Sequence, residues 1–403
     1  MTDVSGNIRA SFPVFDQGPL HYLDHASSSQ VPDAVIDAIS SHDRVSRANV
    51  HRSVYDLAER ATAAYEGARA NLASWINAPS DREVIFTSGC TAAINLVAQS
   101  FGSLMQPGDE VIISELDHHA NIVPWQMLRD RARIVLKVLP VDGQGILDLS
   151  RLEQLLTPRC RLIAVTHISN VTGAITDIDR VVTAAKSVGA AVLLDGAQAM
   201  GHGPVDVQRL GVDFYTGSGH KMYGPTGIGF LWGRGELLEQ MPPFLGGGEM
   251  IRRVTMETTT YASPPGRFEA GTPPITQAAG LNAAINWMRH QDWNVIDQME
   301  RSLTERLLNG LSDIPGITVA GPQGLQSRAP VISFSHKTIH AHDICEILNL
   351  HHVAVRGGHH CAQPLLDALD LAALTRVSIG AYATSEDIDA FLAGLADAIR
   401  RLG

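Results

Sequence analysis

Lys221 stands in the stretch Phe214-Tyr-Thr-Gly-Ser-Gly-His-Lys-Met-Tyr-Gly-Pro-Thr-Gly-Ile-Gly229, rich in glycine and hydroxyl groups and bounded by two short apolar runs, Gly211 to Tyr215 and Gly227 to Trp232. Glycine lets backbone approach a bound group closely, and Ser218 and His220 offer hydrogen-bond donors to an anion. A lysine partly withdrawn from water loses proton affinity and becomes an amine nucleophile able to form a Schiff base with a carbonyl. Taken alone, the stretch serves equally as a surface turn with a solvated lysine. Upstream, Asp195 closes the apolar run Ala190-Ala-Val-Leu-Leu-Asp195. A carboxylate at that depth is costly unless it meets a cation, and a protonated pyridine nitrogen is one such partner. Ser88-Gly-Cys-Thr-Ala-Ala-Ile-Asn95 is a glycine turn opening a helix, where free amides, the helix dipole and the Thr91 hydroxyl suit a phosphate. Each feature alone has an ordinary structural explanation. Together they supply the parts of a pyridoxal phosphate site.

The elements that must position these groups follow from periodicity. A short helix runs from Asp33 to Ser41, and apolar residues Ala61, Ala64, Tyr65, Ala68, Leu72 and Trp75 mark a long amphipathic helix from Leu57 to about Asn77. Short apolar runs then alternate with helical segments: Glu83 to Thr87, Glu110 to Ser114, Arg133 to Leu139, Arg161 to Thr166 and Ala190 to Asp195. Runs without polar alternation predict strands buried on both faces of a mostly parallel sheet, hence an α/β domain. Ligands in such sheets collect at the carboxyl ends of the strands, where Glu115-Leu-Asp-His-His-Ala-Asn121 offers His118 or His119 to a flat ring, unless both are plain loop histidines. Beyond a helix from Ile275 to Met288, the chain changes character near Asp292. It reads there as a smaller α/β domain: a helix over Val295–Leu311, strands over Pro330–Ser335 and Val353–Arg356, a helix over Ala341–Leu350 and a last one from Ser385. Thr384 and Asp387 make a capping-box-like start to that last helix.

The composition excludes several classes. With 403 residues, 45% hydrophobic and 18% charged, the chain is of an ordinary globular kind, long enough for a large and a smaller domain. A formal charge of -11 without a Lys/Arg run argues against nucleic acid as a partner. No apolar run nears the length of about 20 residues that spans a bilayer. The first residues lack a basic region followed by an apolar one, so no membrane association and a cytoplasmic location are expected. Cys90, Cys160, Cys345 and Cys361 are widely spaced without a CxxC pair, which favours reduced thiols.

Five stretches, in this order and over nearly the whole chain, resemble the cysteine desulfurases: Glu115-Leu-Asp-His-His-Ala-Asn-Ile-Val-Pro-Trp125, Asp195-Gly-Ala-Gln198, Ser218 to Gly229, Phe268-Glu-Ala-Gly-Thr272 and Arg356-Gly-Gly-His-His-Cys-Ala362. The last is similar to the short cysteine-bearing loop of the SufS and CsdA-like branch. The resemblance implies a fold type I pyridoxal-phosphate-dependent transferase, with a large domain built on a mostly parallel seven-stranded sheet and a smaller C-terminal α/β domain. It implies an N-terminal segment, residues 1–24, packed with the small domain; a cofactor domain over 25–288; a small domain over 289–403 carrying the cysteine loop; and a homodimer with active sites near the subunit interface.

The same resemblance implies roles for individual residues. Lys221 carries the cofactor as a Schiff base and, once L-cysteine displaces it, removes the α-proton. Asp195 pairs with the pyridine nitrogen, His118 stacks on the ring and moves protons, and Gln198 bonds the phenolic oxygen. Thr91, Ser218, His220 and the backbone amide of Cys90 hold the phosphate, while Thr272 reaches the phosphate of the other subunit. Arg376 and Asn170 take the substrate carboxylate, with Arg356 and His51 near the substrate thiol or the cysteine loop. Cys361 attacks the substrate sulfur, leaving alanine and a persulfide, with His359, His360 and Arg356 as candidate activators of a thiol whose ordinary pKa is roughly 8.5. A SufE-like acceptor protein or a small thiol then takes the sulfur, for iron-sulfur cluster assembly or another sulfur-containing product.

Selenocysteine lyase, cysteine sulfinate desulfinase or another carbon-sulfur lyase is the alternative on the same scaffold. Outside enzymes the alternative is a sulfur carrier that has lost turnover, against which Lys221 and Asp195 count. His359, His360 and Cys361 with His351 and His352 also have zinc-ligand chemistry, but the surrounding motif favours sulfur transfer, and no metal is expected. Three stretches depart from the family's usual pattern. Ser88-Gly-Cys-Thr-Ala92 stands for Arg-Gly-Thr-Thr-Glu, Leu23-Asp-His-Ala-Ser27 for Leu-Asp-Ser-Ala-Ala, and Tyr382-Ala-Thr384 for Tyr-Asn-Thr.

Overall fold

A computed structural model describes residues 8–51 and 54–403. The chain enters through a short strand, β1 (His21–Tyr22), and the helix Asp33–Val45, which starts directly behind Pro32. The helix Asp56–Trp75 buries Ala61, Tyr65, Ala68 and Leu72 on one stripe, the spacing that its sequence carries.

Seven strands follow: β2 (Val84–Thr87), β3 (Glu110–Ser114), β4 (Val135–Leu139), β5 (Cys160–Thr166), β6 (Ala191–Asp195), β7 (Phe214–Ser218) and β8 (Gly229–Gly233). They form one sheet in the order β2-β8-β7-β6-β5-β3-β4. Only β8 runs against its neighbours, β2 and β7; the other pairs are parallel. The fold is therefore α/β on a mostly parallel seven-stranded sheet. β4 begins two residues later than the apolar run suggests, because Arg133 turns left-handed (φ 56°) to end the helix Val123–Ala132.

Alternate strand residues serve two apolar layers, as period-2 geometry requires. Ile112, Ile163, Val192, Leu194, Tyr215 and Phe230 pack on one side with the helices Asp56–Trp75, Ile178–Val188 and Ile275–Arg289. Val111, Ile113, Leu162, Leu193, Phe214 and Leu231 pack on the other with the helices Cys90–Ser100 and Val123–Ala132.

A two-stranded hairpin, β9 (Ile251–Val254) and β10 (Thr259–Tyr261), precedes the second α/β unit. That unit holds β11 (Ile317–Ala320), β12 (Val331–His336), β13 (Val353–Ala354), β14 (Arg356–Gly358) and β15 (Leu374–Ser378). β11-β12-β15-β14 form an antiparallel sheet packed on the helices Trp293–Ser312, Ala341–Leu350 and Ser385–Leu402. The single strand expected over Val353–Arg356 is two, because β13 pairs with β1 while β14 pairs with β15. Thr384 and Asp387 close the anticipated capping box. Asp387 also accepts Arg9 Nη1 at 3.0 Å and bonds His21 Nδ1 at 2.8 Å, so the stretch before β2 lies against the second unit.

One buried ion pair fixes the loop that carries Thr272. Arg69 forks onto Glu269 at 2.6 and 2.9 Å, and Glu269 also accepts the Tyr65 hydroxyl at 2.9 Å and the Phe86 amide at 2.7 Å. Arg69 is 2% exposed. Glu66 also accepts Arg69 Nε at 2.9 Å, so Glu269→Ala leaves the guanidinium one carboxylate partner but strips the acceptor from the Tyr65 hydroxyl and the Phe86 amide, and should lower the unfolding free energy by about 2–3 kcal/mol. Urea denaturation of the variant measures this, and an unchanged unfolding free energy would contradict it.

Candidate active site

The register of the large sheet sets the first residues of the site. Thr166, Asp195 and Thr216 are direct neighbours across β5, β6 and β7, and Ser218 sits opposite Gly229, which sits opposite Thr87. The carboxyl ends of β2, β3, β5, β6 and β7 thus share one edge. Gly89 (φ 153°) turns the chain from β2 into the helix Cys90–Ser100 in a conformation that only glycine adopts freely. A Cβ on Gly229 would lie 2.5 Å from the Gly89 Cα, so β8 closes on this turn only because residue 229 is glycine.

A cavity of about 200 Å³ opens on this edge. Thr91, His118, Asn170, Asp195, Gln198, Ser218, His220, Lys221, Arg356, Arg376 and Cys361 all line it, as does Cys90. Cys361 is exposed at its outer side, on a tight turn in which His360 (φ 52°) and Cys361 (φ 56°) are both left-handed. That turn is held by its carbonyls. Asn170 Nδ2 donates to His360 O at 2.7 Å, and the His119 amide donates to Cys361 O at 2.8 Å. His119 Nε2 accepts the Gln363 amide at 3.1 Å, so of the histidine pair this one grips the cysteine loop.

His118 has the other task. Its Nδ1 accepts the Ala120 amide at 3.0 Å, which in the neutral ring places the proton on Nε2. Burial, with Lys221 nearby, holds this imidazole down to about 4. Lys221 is half-buried, and desolvation pulls its amine below the usual lysine range against the opposing charge of Asp195. Asp195 is buried and accepts the Ala197 amide at 3.0 Å and the Cys90 thiol at 3.1 Å, both on Oδ1. Arg376, 2% exposed, donates from Nη1 to Asn170 O at 3.0 Å and from Nη2 to Asp24 Oδ1 at 2.9 Å. Its Nε is buried without a partner.

Two of the anticipated residues fall elsewhere. His51 bonds Glu66 at 2.9 Å on an exposed surface. Thr272 lines a second cavity of about 500 Å³ with Tyr65, Ser88, Phe244, Leu245 and Phe268. Gln198 Nε2 donates to Ala26 O at 2.8 Å, and the Cys90 amide donates to Ser218 Oγ at 2.9 Å. His360, a candidate thiol activator, gives Nε2 to Leu374 O at 3.0 Å and is held by burial at about 3, so it carries no charge near neutral pH.

Sequence reasoning missed two supporting carboxylates. Asp24 orients Arg376, and its signal lay in Leu23-Asp-His-Ala-Ser27. Asp117 is fully buried under His118, accepting the Ser114 amide at 2.8 Å and hydroxyl at 2.7 Å and the Asn121 amide group at 3.1 Å. Burial raises it to about 7.

These donors fit pyridoxal phosphate. Thr91, Ser218 and His220 gather at a helix N-terminus where a phosphate is stabilised. The two hydrogen bonds to Asp195 leave Oδ2 for a cation in the cavity, and the orphaned Arg376 Nε has one donor left for an anionic ligand. Among the described residues no group of three or more His, Cys, Asp or Glu has a metal-binding arrangement.

The class follows from this edge and these groups. Residues 21–391 match the profile of the family described as aminotransferase class-V, and the chain belongs to that family. Within it, the chain is 45% identical over 402 residues to a cysteine desulfurase of Pectobacterium atrosepticum, covering 98% of both chains. It is 44% identical to a probable cysteine desulfurase of Streptomyces coelicolor, over 96% of this chain and 95% of that one. The crystal structure of the Escherichia coli cysteine desulfurase CsdA, in an S-sulfonic acid form, superposes with a TM-score of 0.92 at 40% identity, covering 99% of each chain. An apo cysteine desulfurase from Thermococcus onnurineus gives 0.94 at 35%, covering 98% of each.

His118, His167 and His360 are held neutral by burial, at about 4, 4 and 3. In the unfolded chain a histidine titrates near 6.5. Their folded values lie below the unfolded one, so the unfolded chain binds more protons in the interval between; their contribution is complete above about 6.5 and is lost as pH falls. Urea unfolding free energy should drop by about 1.5 kcal/mol per such histidine between pH 6.5 and 5. His167→Gln should flatten that slope by one histidine's share, and an unaltered slope would refute the assignment.

Proposed function

We propose that this chain is a pyridoxal-phosphate-dependent cysteine desulfurase that converts L-cysteine to L-alanine and receives the sulfur as a persulfide on Cys361. The supporting observation is that a desolvated lysine, a buried carboxylate, a buried arginine with a free donor and an exposed thiol all line one cavity. Bound pyridoxal phosphate supplies an electron sink for the carbon that loses its proton.

The chain's own groups do the rest. The lowered proton affinity of Lys221 favours the neutral amine, which can hold the cofactor and afterwards take the α-proton of the substrate. Asp195 keeps a positive partner at the ring nitrogen. Thr91, Ser218 and His220 would hold the phosphate, Gln198 would offer a hydrogen bond to the phenolic oxygen, and His118 would face the ring, with its Nε2 proton available to the reacting group. Arg376 directs its unpaired Nε to the substrate carboxylate. Asn170 contributes by fixing the cysteine turn as well as by lining the carboxylate pocket.

The Cys361 sulfur then forms an S–S bond to the substrate sulfur as the substrate's carbon-sulfur bond breaks and that carbon takes a proton. Cysteine and a thiol become alanine and a persulfide, and the atoms balance. Arg356 lines the cavity beside Cys361, and with His359 it remains a candidate to favour the thiolate. We assign residues 25–288 to cofactor binding and 289–403 to presenting this thiol, with residues 8–24 as a strap onto the latter; the rest of the expected 1–24 segment lies outside the described residues.

The working unit we propose is a homodimer. Its support is the exposed Thr272 and the apolar second cavity around it, and His51 nearby with its ring against Tyr65, none of which serves the cavity of its own chain. The sulfur passes to a SufE-like protein or a small thiol for iron-sulfur cluster assembly or a related product. None of the four cysteines forms a disulfide, which agrees with a cytoplasmic setting, and no described helix is long and apolar enough to cross a membrane.

Incubation with cysteine, followed by alanine assay and mass analysis of the Cys361 peptide, tests the reading. The parent should release alanine and gain one sulfur on that peptide. Cys361→Ser should keep the yellow cofactor and lose sulfur transfer from cysteine to a thiol acceptor by about a hundredfold or more; transfer at the parent rate would end the proposal. Lys221→Ala should abolish alanine release. Turnover of selenocysteine or cysteine sulfinate alone would redirect the reading to a different lyase.

A further inference from the structure

Cys90 stands where the resembling proteins carry threonine, and its side chain does not face the phosphate turn. Sγ lies 3.1 Å from Asp195 Oδ1 and 2.9 Å from Thr216 Oγ1, buried at 5% exposure. The carboxylate can only accept and a thiol has one proton to give, so Cys90 S–H donates to Asp195 Oδ1 and its sulfur is left to accept from the Thr216 hydroxyl at 2.9 Å, a shorter contact than that hydroxyl's other acceptor, Leu194 O at 3.4 Å. Thr216 is held in place as the direct neighbour of Asp195 across β6 and β7. The only other donor to the Asp195 carboxylate among the described residues, the Ala197 amide at 3.0 Å, falls on the same Oδ1.

We propose that Cys90 is a positioning residue for Asp195: its thiol, fixed by Thr216, pins Oδ1 and turns Oδ2 to the cavity, and so sets how firmly the ring nitrogen of bound pyridoxal phosphate keeps its proton. The proposal rests on the reading above in which Asp195 meets that nitrogen. Burial, with the Asp195 charge adding to it, raises the thiol well above its ordinary range, so Cys90 remains a neutral donor at any working pH and never a thiolate beside the carboxylate. A thiol is also a weaker donor than a hydroxyl. It fixes the direction of Asp195 Oδ1 and lowers the proton affinity of the carboxylate by less than a hydroxyl would.

Without the thiol, Oδ1 keeps one donor and the carboxylate gains proton affinity. The shared proton then shifts from the ring toward Asp195, and the ring becomes a poorer electron sink. The test uses the full-length protein reconstituted with pyridoxal phosphate labelled with nitrogen-15 in the ring, read by NMR. The parent should show the protonated pyridine resonance. In Cys90→Ala that resonance should move toward the neutral-pyridine position, and alanine release should fall about tenfold. Cys90→Ser retains a donor and should restore the parental resonance, which filling a packing defect alone would not do.

An unmoved resonance in Cys90→Ala, or equal movement in the alanine and serine variants, overturns the proposal. If Cys90→Ala does not retain the cofactor, Thr216→Val carries the test. It keeps the shape of the side chain but removes the hydroxyl that orients the thiol, and an unmoved resonance there overturns the proposal as well. A parent that binds no labelled cofactor at all refutes the preceding function, and the role of Cys90 falls with it, whereas a parent that binds it while the variants fail as above refutes the role of Cys90 alone.

Discussion

A guanidinium taken out of water must find its hydrogen-bond partners inside the protein, and Arg376 finds them in three distant parts of the chain. It projects from β15, donates to Asn170 O after β5, and pairs with Asp24 of the entering segment. Desolvation weakens the guanidinium's hold on its proton, while Asp24 offsets that cost. The small sheet, the large sheet and the N-terminal stretch are therefore joined at one buried charge. The fork is not fully used, since Nε remains unpaired at the cavity. A structure that orders a cation so fully and leaves one donor idle is arranged for an anion that arrives later.

The cysteine turn depends on the same junction. Asn170 gives its backbone oxygen to Arg376 and its amide to His360 O, so one residue relays the position of the buried charge to the turn beside Cys361. Two consecutive left-handed residues would relax if free, and the carbonyl clamps from Asn170 and His119 hold them. His118 and His119 are adjacent in sequence yet divide the work, one lining the cofactor cavity and the other bonded to the turn. Asp117 beneath them builds the bend that lets the two rings point apart.

Much of this was legible in the chain itself. Unbroken apolar runs marked β2 to β6, and the resemblance supplied the seven-stranded count that the sheet has. Lys221, Asp195, Ser218 and Cys361 stood out because each is a chemically demanding residue at the end of a strand or in a glycine-rich loop. What was not legible depends on contact across long separations. Asp24 and Arg376 are 352 positions apart, and nothing local to either names the other. The Cys90 side chain turns toward Asp195, and not the phosphate turn, because β2 and β6 lie on the same sheet edge, a fact of strand order alone. His51 and Thr272, expected at the site from the resemblance, lie outside the cavity of their own chain.

The loop holding Lys221 is tethered at both ends and along its length. Ser218 and Gly229 face each other across β7 and β8, Gly219 donates to Ile228 O at 2.9 Å, and Gly224 donates to Gly219 O at 2.9 Å. Ser29 binds it from outside, its amide giving to His220 O at 2.8 Å and its hydroxyl taking the Tyr223 amide at 2.8 Å. With the backbone so braced, the amine has no hinge to ride on. In the role proposed for it, the travel between holding and releasing a carbonyl would be the swing of four methylenes on a fixed post, with a rotamer entropy of about 2 kcal/mol at stake. Lysine is the one natural amine side chain with an arm of that length and suppleness. The rigidity of the post is what confines that freedom to the atoms that use it.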